Sequence, residues 1–261
     1  MLIYICNVCG SILVSKIKKN LLMKNNQNIV LLMMGGIGSR VGNSLPKQFI
    51  EIEGVPIFVH ILKGLNELEC IDKILIVCCK DWIDYAKKCC SDICVQKLCD
   101  IIPGGETRSD SIVNGLKKAK EFAFDNDVIM MFDTTHPYID KKGIENLISA
   151  INEYGGATLG QRQYDTCYRI DKKDMLIEVV PRNEIVSGAS PEGFRFKTIY
   201  DIYMNSSKEE LSKMTSAGAI ALAHNVPMKI CTLNNLNLKI TYPEDIEVLK
   251  HLINYNFNQK L

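Results

Sequence analysis

Three glycines, Gly35, Gly36 and Gly38, precede two cations, Arg40 and Lys47, within the run MMGGIGSRVGNSLPKQF from Met33 to Phe49. Glycines lack a Cβ, so their backbone can turn tightly and bring N–H groups against phosphate oxygens. Arg40 and Lys47 add fixed positive charge beside that turn. The chemistry such a combination serves is the holding of a triphosphate. Two common phosphate loops fail on spacing. A dinucleotide fingerprint read from Gly36 and Gly38 needs a glycine at position 41, which is Val41, and Gly42 falls one residue late. A Walker loop needs Ser or Thr directly after Gly-Lys, whereas Lys47 stands between Pro46 and Gln48.

A loop of this kind needs a strand to feed it, and the apolar stretch Ile29 to Leu32 runs straight into the glycines. From Asn28 onward, apolar strand-like runs alternate with helix-like periodicity, the pattern of a parallel sheet covered on both faces. The clearest expected strands are Ile29 to Met34, Ile74 to Cys79 and Val128 to Asp133. Pro56 opens an expected helix whose Phe58, Ile61, Leu62 and Leu65 share one face, and a second helix is expected over Asp110 to Phe122. The stretch Gln163 to Ser187 breaks the rhythm by alternating polar and apolar residues, and it reads as a projecting β hairpin. Met214 to His224 is helical in pattern. Leu238 to Thr241 reads as a strand running into a last helix, with Thr241 and Glu244 at capping-box spacing. The expected class is α/β, Rossmann-like, with a mostly parallel twisted sheet, helices on both faces and a projecting β-arm at about 163–187.

The chain of 261 residues can bury a full core and fits one large α/β domain over 28–261. A net charge of +1 with well-mixed charges argues against a nucleic-acid footprint, which would show a basic stripe. The eleven cysteines are spread through apolar segments and read as reduced, small hydrophobes. Cys6 and Cys9 form a single CxxC with no second pair at zinc spacing, so no metal is assigned to them. The start is apolar from Leu2 to Val14 and basic afterwards at Lys16, Lys18 and Lys19, the reverse of a secretory signal and too short an apolar run to span a bilayer. Residues 1–27 are therefore expected to be a disordered or loosely docked extension, with Met23 as the natural start and a cytoplasmic location for the protein.

The pattern GGxGxR followed by PKQF resembles the signature of nucleotidyltransferases that activate sugar or polyol phosphates, and PKQF looks like their cytidylyltransferase branch. Five further segments stand in the order seen in the cytidylyltransferases that make CDP-methylerythritol and CDP-ribitol, a glycosyltransferase-A-like family. The resemblance covers Asn28 to about Ile253. It implies transfer of CMP from CTP to a small polyol phosphate, with Arg40, Lys47 and Lys239 stabilising charge. GGETRSDSIVNGL from Gly104 is similar to the family's GGxxRxxSVxxGL, which implies that Gly104, Gly105 and Ser111 contact cytosine and ribose. FDTTHP, Phe132 to Pro137, is similar to HDxxRP, so Asp133 matches an aspartate facing ribose and phosphates. A carboxylate beside a triphosphate is costly unless a cation lies between them, so Mg²⁺ on Asp133 is expected.

The acceptor half departs from the family pattern. His136 stands where the family has an arginine that holds the second substrate's phosphate; a substrate role for it predicts that acceptor binding weakens as pH rises past the His136 pKa. SPEGF, Ser190 to Phe194, resembles TPQxF with Glu192 for Gln, and Thr215 matches the family's TDxA threonine with Ser216 for the acid. Thr166 belongs to a DT pair with Asp165. Arg182 matches an arginine that reaches across a dimer to the partner's substrate, which implies a homodimer through the arm. The double glycine, GNSLPKQF and LSKMTSA lean to the ribitol 5-phosphate side over methylerythritol 4-phosphate. Alternatives that stay open are a catalytically impaired nucleotide-binding scaffold and a nucleotidyltransferase for another sugar, alkyl phosphate or molybdenum cofactor.

Overall fold

The computed structural model describes residues 26–36, 45–233 and 237–258. Gly38 and Arg40 lie outside the described residues, as does all of the expected extension except Asn26 and Gln27. Gln27 is docked, with its backbone N–H 2.9 Å and its side-chain amide 3.2 Å from the two carboxylate oxygens of Asp127.

In chain order, β1 (Asn28–Met34) leads to a small ribbon of β2 (Glu51–Ile52) and β3 (Val55–Pro56), then α1 (Ile57–Glu67), β4 (Lys73–Cys78) and α2 (Ile83–Ser91). Next come β5 (Leu98–Pro103), α3 (Arg108–Ala119), β6 (Val128–Asp133), α4 (Lys141–Tyr154) and β7 (Gly156–Arg162). The arm carries β8 (Cys167–Ile170) and β9 (Leu176–Val180), and the chain returns through β10 (Val186–Arg195) to α5 (Phe196–Asn205), α6 (Lys208–Lys213), α7 (Ala217–Ala223), β11 (Met228–Thr232) and α8 (Pro243–Asn258). Seven strands form one sheet in the order β11-β7-β10-β6-β1-β4-β5. All pairings are parallel except those of β10 with β6 and β7.

Period-two alternation along β1 explains the layering. Val30, Leu32 and Met34 face one core with α1, α2, α4 and α8, while Ile29, Leu31 and Met33 face a second core with α3, α5, α6 and α7. Each fully buried Ile or Leu in these layers contributes on the order of 1.5–3 kcal/mol. From β1 the chain steps to β4 on one side, and it later returns to place β6 on the other. The edge where β1 and β6 end is therefore the topological switch point, where open α/β sheets leave a crevice.

The ends of two elements differ from the sequence expectation. Helix α3 starts at Arg108 rather than Asp110, because Thr107 caps it in a capping box: its hydroxyl accepts the Asp110 N–H, and the Asp110 carboxylate accepts the Thr107 N–H at 3.1 Å. Leu238 to Thr241 forms no strand; Ile240 instead donates its N–H to Thr135 O at 2.8 Å. The cap of α8 comes from Asp245, not Glu244, since its Oδ2 accepts the N–H groups of Thr241 (2.7 Å) and Tyr242 (2.8 Å). Within 163–187, β8 and β9 pair antiparallel as a separate two-stranded sheet.

Candidate active site

A cavity of about 870 Å³ opens at the switch point between β1 and β6. Its wall begins with Gly35 and Gly36 at the end of β1. Gln48 fixes that turn, donating from Nε2 to Met34 O at 2.9 Å and Gly36 O at 3.1 Å. Phe49 anchors Gln48 from below through a stack on Trp82, with ring centroids 4.8 Å apart. The PKQF run is thus a brace for the glycine turn as well as a source of charge.

A second backbone segment meets the first. Gly104, Gly105 and Ser111 line the cavity where β5 passes into α3, and the buried Ser111 hydroxyl accepts the Gly105 N–H at 3.0 Å while donating to Thr107 O at 2.9 Å. A Cβ on either Gly35 or Gly104 would lie 2.8 Å from Ser111 Oγ, so the two turns approach each other only because both residues are glycine. A Cβ on Gly105 would fall inside Asp110, the capping-box carboxylate.

Lys47 and Lys239 complete the basic side. Lys47 is buried, and its Nζ donates to Thr241 O at 2.7 Å and Ile240 O at 3.4 Å. It therefore bridges the PKQF turn and the segment that carries the solvent-exposed Lys239; both lysines line the cavity.

Asp133 ends β6 and also lines the cavity, its N–H donating to Ser190 Oγ at 2.8 Å. Its carboxylate is in direct ion contact with Arg108 in the first turn of α3. Burial works against the Arg108 charge, but Asp133 outweighs that and holds the guanidinium above its ordinary pKa. Arg108 was not singled out in sequence, although a signal existed. A cation in the first turn of a helix opposes the macrodipole, so its presence asks for an anionic partner.

The acceptor-side residues are distributed. His136 does not line the cavity. It is 8% exposed, its Nδ1 has no partner among the described residues, and burial, with Lys239 and Arg108 in support and Asp133 opposed, pushes its pKa down to about 4. Burial thus favours the uncharged imidazole at neutral pH, and any acceptor binding linked to the His136 pKa would titrate well below neutrality. Ser190 is buried against Asp133. Thr215 is exposed just before α7. Thr166 and Arg182 lie exposed at the root of the arm, and Arg182 donates to Tyr164 O at 2.5 Å within its own chain. The two departures at 192 and 216 prove to be neighbours. Ser216 caps α7 by accepting the Ala219 N–H at 3.1 Å, and Glu192 accepts the next free amide, the Gly218 N–H. Burial raises the Glu192 carboxyl, with Gly218 and Arg108 acting against that shift.

A parallel sheet with one reversed strand, and a glycine turn, lysines and a carboxylate on one cavity at the switch point, are the features of a nucleotidyltransferase of the α/β class. The family model described as 2-C-methyl-D-erythritol 4-phosphate cytidylyltransferase matches residues 28–254, and the chain belongs to that family. It is 29% identical over 232 residues to a ribitol-5-phosphate cytidylyltransferase of Vibrio parahaemolyticus, covering 88% of this chain and 98% of that one. It is 31% identical over 224 residues to a 2-C-methyl-D-erythritol 4-phosphate cytidylyltransferase of Clostridium botulinum, covering 86% and 98%. The fold is similar to the crystal structure of 4-diphosphocytidyl-2C-methyl-D-erythritol synthase from Anaerococcus prevotii, with a TM-score of 0.72 at 20% identity over 87% of this chain and 96% of that one.

Proposed function

We propose that this enzyme transfers the CMP group of CTP to the phosphate of a small polyol phosphate and releases pyrophosphate. The observation that carries the reading is the convergence of two glycine turns, Lys47, Lys239 and Asp133 on one cavity in a chain of the cytidylyltransferase family. An acceptor phosphate oxygen attacks the α-phosphorus of CTP in line; the new P–O bond forms as the bond to the β-phosphate bridging oxygen breaks, and pyrophosphate takes the electron pair. Such transfer needs positioning and charge stabilisation rather than covalent help.

Gly35, Gly36, Gly104 and Gly105 bring backbone to the nucleotide, Ser111 contacts its cytosine and ribose, and Lys47 and Lys239 serve the phosphates; Arg40 lies outside the described residues and is assigned to the phosphates by its motif alone. No cluster of three metal-ligating side chains occurs among the described residues, yet one carboxylate at the cavity wall suits Mg²⁺, which takes most of its ligands from phosphates and water. Asp133 would hold that ion, whose charge offsets the triphosphate. The exposed apolar arm supports a homodimer in which Thr166 and Arg182 face the partner's acceptor, with Ser190 and Thr215 contributed by the same chain as the nucleotide site. No helix among the described residues is long and apolar enough to cross a membrane, and a CTP-dependent reaction suits the cytoplasm.

Relatives at similar identity act on different acceptors, so the acceptor is decided by assay. Pyrophosphate release from CTP is to be measured with ribitol 5-phosphate, methylerythritol 4-phosphate and glycerol 3-phosphate, and the expected result is release with one of them. Tight CTP binding with no release for any acceptor would replace the enzyme with a nucleotide-binding scaffold.

A further inference from the structure

Arg108 and Asp133 line the same cavity in direct ion contact, so the carboxylate suited to a divalent cation already holds a guanidinium. Both side chains hang from fixed backbone. The capping box closes the first turn of α3 beneath Arg108. Asp133 ends β6 with its N–H on Ser190 Oγ at 2.8 Å and its carbonyl oxygen accepting the His136 N–H at 3.0 Å. Opening the pair therefore takes side-chain rotation alone. The Arg108 and Asp133 side chains are 36% and 25% exposed, and an ion pair that water reaches is held weakly.

Positive charge gathers around this carboxylate. Ile240 donates its N–H to Thr135 O at 2.8 Å, which runs Lys239 beside the end of β6, and Lys239 lines the cavity as well. Arg108 and Lys239 thus set two cations near one carboxylate, a field that repels a divalent cation. A triphosphate in the cavity reverses that field. Its oxygens also offer the guanidinium a second bidentate partner, and the start of α3 favours an anion at the turn where Arg108 stands. Glu192 draws on the same guanidinium, so Arg108 is not left without a carboxylate when Asp133 turns away.

We propose that Arg108 is a positioning residue, a built-in counter-ion that holds the Asp133 carboxylate and keeps divalent cations off it until a nucleoside triphosphate enters. Arg108 then yields the carboxylate to the metal and turns to the phosphates. Nucleotide and metal take their places together, and the empty site does not collect metal. This rests on the CTP reading above and on Asp133 as the carboxylate that holds the ion.

The test is Mn²⁺ binding to the nucleotide-free protein, read from the electron paramagnetic resonance of the free ion. Arg108→Met removes the charge at similar length, Arg108→Lys keeps it, and thermal melting by circular dichroism checks that each variant is folded. The expected result is Mn²⁺ bound about tenfold tighter or more by Arg108→Met than by wild type, the scale of removing one like charge a few ångströms away at a partly solvated site. Arg108→Lys should stay near wild type, and adding Asp133→Asn to Arg108→Met should abolish the gain. A merely structural role for Arg108 would not raise metal affinity. Arg108→Met that is folded yet binds Mn²⁺ no tighter than wild type overturns the proposal, as does a gain that Arg108→Lys shares or that survives Asp133→Asn. Wild-type enzyme that releases pyrophosphate from CTP with no acceptor would bring down the proposed function instead, and the Mn²⁺ comparison, made without nucleotide, is read separately from it.

Discussion

His136 is neutral at physiological pH because its ring is buried among groups that mostly disfavour a second proton. The unfolded chain titrates this residue near 6.5 and the folded chain near 4. Between those values the unfolded state binds the extra proton, so stability is fully present above pH 6.5 and falls as pH drops toward 4, by about 3 kcal/mol if no other group intervenes. Urea unfolding of wild type and His136→Gln at a series of pH values should show that slope in the first and a flatter line in the second, while the acceptor KM has no His136-linked step between pH 6 and 8. Lys47 makes a different prediction, since it is held by the carbonyls of Ile240 and Thr241 at the cavity wall. Lys47→Ala is expected to lower turnover by about a hundredfold or more, the loss typical of one preorganised charge-stabilising group; unchanged single-turnover rates would remove it from the mechanism. The glycines and lysines of the cradle were readable in sequence because their chemistry is local and needs only a strand before it. The state of His136 was not, since it depends on burial and on Lys239, a residue a hundred positions away in the chain.

At the scale of elements, the α3 terminus does two jobs: its capping box closes the helix, and the same loop supplies Gly104, Gly105 and Ser111 to the cavity. Thr107→Ala should cost about 1 kcal/mol in thermal or urea unfolding, as N-cap losses do. Gly105→Ala should cost more and also weaken CTP binding, because the added Cβ collides with Asp110 and shifts backbone at the cavity wall. Calorimetric titration with CTP would separate the two variants, and equal CTP affinity in both would refute the shared role. The strands and helices on either side of this loop were legible from periodicity, since a strand buried on both faces is continuously apolar and a helix with one buried face is not. The segment after Leu238 misled for a physical reason. Its apolar Leu238 and Ile240 pack into a core as a strand would, but the backbone bonds go to Lys47 and Thr135 instead of a sheet partner.

The whole molecule ends in an arm it cannot cover by itself. Leu176, Ile177 and Val179 are 66%, 58% and 63% exposed, on both sides of a two-stranded hairpin. Such hairpins are marginal alone, and apolar surface of this kind marks a contact site. Leu176→Asp combined with Val179→Asp should yield monomers in sedimentation or light scattering at micromolar concentration, with transferase activity reduced; a dimer that persists would place the interface elsewhere. The arm leaves the sheet after β7 and rejoins it as β10, the reversed strand. Reversal puts the beginning of β10 at the edge where β6 ends, which is why Ser190 meets Asp133. One consequence concerns inheritance rather than energy. The residues proposed to read the acceptor, apart from His136, fall between positions 166 and 215, while those on the nucleotide side, Lys239 excepted, precede position 134. A lineage could therefore exchange one stretch of chain and change the alcohol it activates, leaving the triphosphate chemistry as it was.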